Sequence, residues 1–276
     1  MKNDRVSQLL DMAYSTESTA RSEAIARQIL EISPDNPEAL IILADRTENP
    51  DEREDMLMRA IKSADDDREL VFSANIRLAY TYFEDNKFHA SLNACESAMN
   101  AADDHDDEDS VKPLYYRTMI ELQEWHKILA LTMKDETHGL AWGYSRLIAA
   151  WMTGGGRALC ANMFWDALIL APDVPFYMLG YYEEPEDDDE HDDFDFALMY
   201  YDAVQVSDDF REWFTRGTIL FGLLTNRFDG REREYMLDVL DSLGGYDEYE
   251  RMSGVLLEAD DESVIETLAA NKCLTE

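Results

Sequence analysis

The residues of this chain best suited to chemistry are two dense carboxylate runs, five histidines and three cysteines. Residues 103–109 and 186–193 each combine several Asp and Glu side chains with one histidine, His105 and His191. Oxygen-rich runs suit Ca²⁺ or Mg²⁺, but an EF-hand loop sets its ligands at alternating positions around a central glycine and closes on a glutamate. Neither run has that glycine. A solvated charge run that condenses cations diffusely is the expected state. The histidines His89, His105, His126, His138 and His191 show no His-x-x-x-His or His-Glu-x-x-His spacing, which zinc on a helix face requires. No Gly-x-Ser-x-Gly elbow is present. Cys160 is a thiol to weigh as a nucleophile, but it occupies a small-residue position of a helix, where packing is the expected role. Gly154-Gly155-Gly156-Arg157 opens a helix as a phosphate cradle would. It lacks the Gly-Lys-Ser/Thr ending of a P-loop and no strand precedes it, so a tight turn is expected. No catalytic residue, metal ligand or cofactor is assigned.

The elements that must position any site are helices. Apolar residues recur at helical spacing from end to end, and no segment sustains period-two alternation. The periodicity predicts helices near 5–14, 18–32, 37–46, 51–63, 68–84, 87–102, 110–125, 126–134, 139–152 and 157–170. Further helices are predicted near 194–206, 208–224, 231–243, 246–257 and 261–271. Residues 174–182, with Pro172 and Pro175 around their start, are expected to be extended. Asn36 before Pro37 reads as a helix cap, as does Ser207 before Asp208 and Asp209; Asp229 with Glu232 reads as a capping box.

Three stretches share one spacing of bulky and small residues. One contains Leu78, Ala79, Tyr82, Ser91, Cys95 and Ala98. A second contains Leu147, Trp151, Cys160, Phe164, Ala167 and Pro172. A third, with a shortened turn, contains Leu40, Leu43, Ala44, Leu57 and Ala60. The pattern resembles tetratricopeptide repeats, in which antiparallel helix pairs nest and stack. The expected fold is therefore all-α, an α-α superhelix with a C-terminal helical extension. Residues 1–182 are read as repeats, 183–193 as an acidic connecting loop, and 194–276 as helices that continue or cap the stack. The stretch 171–180, Ala-Pro-Asp-Val-Pro-Phe-Tyr-Met-Leu-Gly, followed by Tyr200, Tyr201, Ala203 and Trp213, also resembles the suppressor-of-tumorigenicity-seven family over roughly residues 139–220. That resemblance implies a repeat-built interaction protein and supplies no catalytic residue.

Composition narrows the partners. With 60 acidic against 24 basic residues the formal net charge is −36, which repels nucleic acid and anionic membrane surfaces. No apolar run reaches the length of a membrane span. The N-terminal residues carry no apolar signal core, so a cytoplasmic location is expected. Cys95, Cys160 and Cys273 are too far apart to suggest a disulfide framework and read as buried thiols.

The expected function is a non-enzymatic scaffold. It would hold a basic or amphipathic protein segment on the concave face made by the first helices of the repeats. Asn75, Tyr82, Tyr115, Tyr144 and Arg146 are the candidate liners. Two alternatives are a dedicated chaperone for a secreted or assembly-prone protein, and an enzyme with a carboxylate site near 183–193, where Asp192 and Asp193 would act. The terminal helices either cap the stack or form a homo-oligomer surface.

Overall fold

Asn36 and Pro37 show how local chemistry starts the helices of this chain. The Asn36 Oδ1 accepts the Ala39 amide at 2.9 Å, and Pro37 stands in the first turn, where a missing N–H leaves nothing unsatisfied. Asn49 with Pro50 repeats the device, and Ser207 accepts the Phe210 amide at 3.1 Å. A computed structural model of the chain describes residues 2–102, 105–134, 139–185, 191–254 and 259–275. Among the described residues the fold is all-α, without a strand. It divides into two compact units, Met1–Leu122 and Gln123–Glu276.

The first unit holds α1 (Lys2–Tyr14), α2 (Thr19–Ile32), α3 (Pro37–Ala44), α4 (Pro50–Ser63), α5 (Arg68–Glu84), α6 (Phe88–Ala101) and α7 (His105–Glu121). Each helix packs on the next, and α3 and α7 also meet α5. Small residues recur at the contacts, among larger buried side chains such as Ile29, Leu40 and Leu57. Ala26, Ala39, Ala44, Ala60, Ala74, Ala79 and Ala98 are fully buried, so helix backbones approach closely. The spacing read from sequence falls on this core: Leu40, Leu57, Leu78, Ser91 and Cys95 are buried, and Ser91 donates to the Ala79 carbonyl at 2.9 Å. Arginines tie helix ends together. Arg59 donates to the Pro34 carbonyl at 2.9 Å, Arg53 to the Thr47 carbonyl at 2.9 Å, and Arg68 to the Ala102 carbonyl at 2.7 Å.

The second unit holds α8 (Trp125–Thr132), α9 (Leu140–Met152), α10 (Arg157–Leu170), α11 (Val174–Met178), α12 (His191–Tyr200), a 3-10 turn (Tyr201–Gln205), α13 (Asp208–Leu224), α14 (Gly230–Ser242), α15 (Tyr246–Ser253) and α16 (Asp261–Ala270). Here α13 is the axis. It touches α14, α15, α16 and the 3-10 turn, and its residues from Gly217 to Leu224 are all buried. Two glycines permit this. A Cβ on Gly217 would lie 2.6 Å from Phe164, and one on Gly222 would lie 2.5 Å from Phe228 and 2.8 Å from Phe176. Rings fill the interior: Trp151 and Trp213 centroids are 4.9 Å apart, and Phe164 and Phe214 centroids 5.2 Å apart. The Arg227 guanidinium reaches Asp173 at 3.0 Å and grips Asp261 bidentately at 3.0 and 2.7 Å, joining α16 to the start of α11.

Three expectations are corrected. The carboxylate run at 103–109 is not a loop throughout: residues 105–109 open α7, because negative charge is favoured at a helix N-terminus. Residues 103–104 lie outside the described residues. Residues 174–178 are helical rather than extended. Pro175 falls in the first turn of α11, where proline is tolerated, and Val174 and Phe176 are fully buried. Asp229 occupies the cap position of α14, but its side chain makes no capping hydrogen bond. The two-unit division falls at 122/123, and α11 and α12, on either side of the second acidic run, pack together. Residues 186–190 of that run lie outside the described residues.

Candidate functional site

On α3 and its C-cap residue Asp45, Glu38, Ile41, Ile42 and Asp45 follow one another at i, i+3, i+4 and i+7, a spacing that sets all four on one face. On α5, Leu70, Ser73 and Arg77 form a similar stripe, preceded by the cap residue Asp67 and by Glu69. Together with Tyr14 at the end of α1, these residues line a hollow of about 400 Å³. Its floor is apolar, with Ile41 buried and Ile42 and Leu70 half-buried; Tyr14 stands at its edge, 63% exposed.

The charges around this hollow are unevenly satisfied. Arg77 is committed: its Nε donates to Asp45 at 2.7 Å, and its Nη1 to the Ser73 carbonyl and hydroxyl at 2.9 and 2.8 Å. Asp67 accepts the Leu70 amide at 3.1 Å as the cap of α5. Glu38 and Glu69 make no ion pair or hydrogen bond among the described residues. Partial burial raises the pKa of Glu38, and the negative charges of Asp67, Asp11 and Glu69 raise it further. Burial also raises the phenol of Tyr14, with Glu38 the next cause, while Arg77 acts the other way. The region therefore holds carboxylate charge without a matching cation.

Glu38 also belongs to a second hollow of about 600 Å³, lined by Val6, Ser7, Leu10, Ile32, Ser33 and Asn36. Val6, Leu10 and Ile32 make its apolar wall, and the Asn36 side chain is already occupied as the cap of α3.

The five residues nominated from sequence lie elsewhere. Asn75 is buried on α5 and donates its amide to the Val71 carbonyl at 2.8 Å. Tyr82, half-buried on the same helix, donates its hydroxyl to Glu54 of α4 at 3.0 Å, and Lys87 sits 5.7 Å from its ring centre. Burial and that carboxylate push the Tyr82 phenol up to about 12. Tyr115 is buried on α7 and donates to Glu96 of α6 at 3.3 Å. In the second unit Tyr144 is 1% exposed and packs on Phe196 and Phe214, and its hydroxyl finds no hydrogen-bond partner among the described residues. Arg146 holds its guanidinium 5.0 Å from the Trp142 ring centre. None of the five lines the hollow around Glu38. The stripe on α3 was the available signal, and it is not aromatic.

The groups weighed for chemistry are placed as follows. Cys95, Cys160 and Cys273 are free thiols with no solvent exposure, and burial pushes the Cys95 thiol up to about 12 and raises Cys160. Among the described residues no three His, Cys, Asp or Glu side chains are grouped to hold a metal ion. Gly154 takes a φ of +79° in the turn before α10, and Arg157 stacks over the Trp151 ring at 3.6 Å. Asp192 and Asp193 stand in the first turn of α12, exposed and half-buried. No described helix is long and apolar enough to cross a membrane. No family model, curated protein or solved structure matches the chain.

Proposed function

We propose that the chain is a non-enzymatic binding scaffold whose α1–α3–α5 hollow receives a basic or amphipathic segment of a protein partner. In this reading the pairs α1–α2, α3–α4 and α5–α6 are tetratricopeptide-like and stack as a solenoid, with α1, α3 and α5 as the first helices that present the ligand face. The observation that carries the proposal is the pair Glu38 and Glu69, uncommitted around an apolar floor whose lining cation, Arg77, is already bound to Asp45 and Ser73. A partner cation would pair with charge that folding leaves unpaired, while its alkyl stem covers Ile41, Ile42 and Leu70. The net charge of −36 adds a long-range field that speeds encounter with basic partners and slows encounter with acidic ones.

The test is a titration of the full chain with a fluorescein-labelled peptide of alternating lysine and leucine, read by anisotropy at low and moderate salt. Saturable binding that weakens with salt is expected, with none for the peptide in which glutamate replaces lysine. Equal binding of both peptides, or of neither, would overturn the proposal.

A further inference from the structure

We infer that the occupant is amphipathic at a fixed point: a partner-protein segment that sets a lysine or arginine head against Glu38 and Glu69 and an apolar side chain in the neighbouring hollow of Val6, Leu10 and Ile32. The inference rests on the binding reading above and names the chemistry of its ligand. Its ground is that Glu38 lines both hollows. The two hollows therefore meet at one acidic side chain.

The possible occupants differ in what they do to that carboxylate. An apolar segment without charge would strip water from Glu38 and Glu69 and return no partner, and an unpaired carboxylate is costly to bury. An acidic segment would add to the repulsion that Asp11, Asp67 and Glu69 already exert on Glu38. A cation alone would satisfy the carboxylates but leave the apolar wall of Val6, Leu10 and Ile32 in water. A segment carrying both satisfies both. The exposed ring of Tyr14 offers the head a face for cation–π contact. Arg77 and Asp45, which also line this hollow, are a neutral pair. Charge complementarity thus selects the head group, and the shared wall selects the apolar neighbour.

The test uses a short labelled peptide with one leucine and one lysine on the same face of a polar, otherwise uncharged background, titrated against the full chain. Replacing lysine by norleucine should weaken binding about tenfold, the scale of one charge-assisted hydrogen bond. Replacing leucine by alanine should weaken it several-fold. Glu38→Gln, with its fold checked by circular dichroism, should lose as much as the norleucine peptide does. The two changes together should cost little more than either alone, the signature of one shared contact. Independent, additive losses would overturn the placement at Glu38 while leaving the scaffold reading intact. Failure of every basic peptide to bind would end both. Displacement of the peptide by spermidine at equal concentration would show that a free polyamine, not a protein segment, is the ligand.

Discussion

Residues 1–122 and 123–276 pack their helices by opposite means. In the first unit fully buried alanines alternate with leucines and isoleucines, and arginines hold helix ends through the carbonyls of Pro34, Thr47 and Ala102. In the second unit rings fill the interior, and the half-buried Arg227 guanidinium lies against them, 4.7 Å from the Phe221 centroid and 5.4 Å from that of Phe176. Close backbone packing leaves little room for a side chain to grow. Ring packing leaves large voids when a side chain is lost. The difference also bears on function. The two hollows that share Glu38 lie in the first unit.

The comparison breaks most sharply by truncating a ring. Phe214 is fully buried against Tyr144, Phe164 and Phe210, and Phe214→Ala should destabilise the second unit by about 4 kcal/mol. All five tryptophans lie at 125, 142, 151, 165 and 213, so urea unfolding followed by tryptophan emission reads that unit directly. A loss of less than about 1 kcal/mol would mean that the rings pack loosely.

The converse test enlarges an alanine. Ala79 is fully buried, with Ser91 Oγ bonded to its carbonyl, and Ala79→Leu should cost about 2 kcal/mol through overpacking. Hydrogen exchange along α5 and α6 should show protection falling there. Unchanged protection would indicate spare volume between these helices. A smaller effect sharpens the role of local signals: Asn36→Ala removes the acceptor for the Ala39 amide and should cost about 1 kcal/mol in thermal unfolding.

The smallest expected effect concerns pH. The groups acting on Glu38 are Asp11 of α1, Asp67 and Glu69 at the start of α5, with Tyr14 and Arg77 around the same hollow. Its raised pKa means that the folded state holds the proton more tightly than the unfolded state. The ionised form is therefore a penalty on folding, present in full above the folded pKa and relieved as pH falls towards the ordinary carboxylate range. Glu38→Gln should stabilise the free protein slightly at neutral pH, and the gain should vanish in acid. A stabilisation that persists in acid would show that the gain does not come from the charge of Glu38, and a loss at neutral pH would show that its carboxylate has a partner in the fold.

Much of the fold was legible because its signals are local. Apolar periodicity and the Asn36-Pro37 and Ser207 caps place most helices near where they occur. Misreadings arose where a local rule has an exception. Proline two residues into α11 is tolerated, and carboxylates at a helix start are favoured rather than expelled into a loop. The hollow was harder to read. Tyr14 and Glu69 are far apart in sequence, and only the packing of α1, α3 and α5 sets them around one space. Aromatic residues drew the candidate list towards Tyr115 and Tyr144, which the core needs. The isoleucine–carboxylate stripe of α3 is the sequence signal for this hollow.

Leu274 has a consequence for how the second unit is made. Its side chain sits against Gly217, its carbonyl accepts the Trp213 indole N–H at 3.0 Å, and its amide donates to Glu248 at 3.0 Å, with a φ of +64° that leucine seldom adopts. The side chains that meet it are all synthesised earlier. On the ribosome α13 and α15 emerge before the residue that joins them. The tie that Leu274 makes between α13 and α15 can therefore form only after both helices have been made.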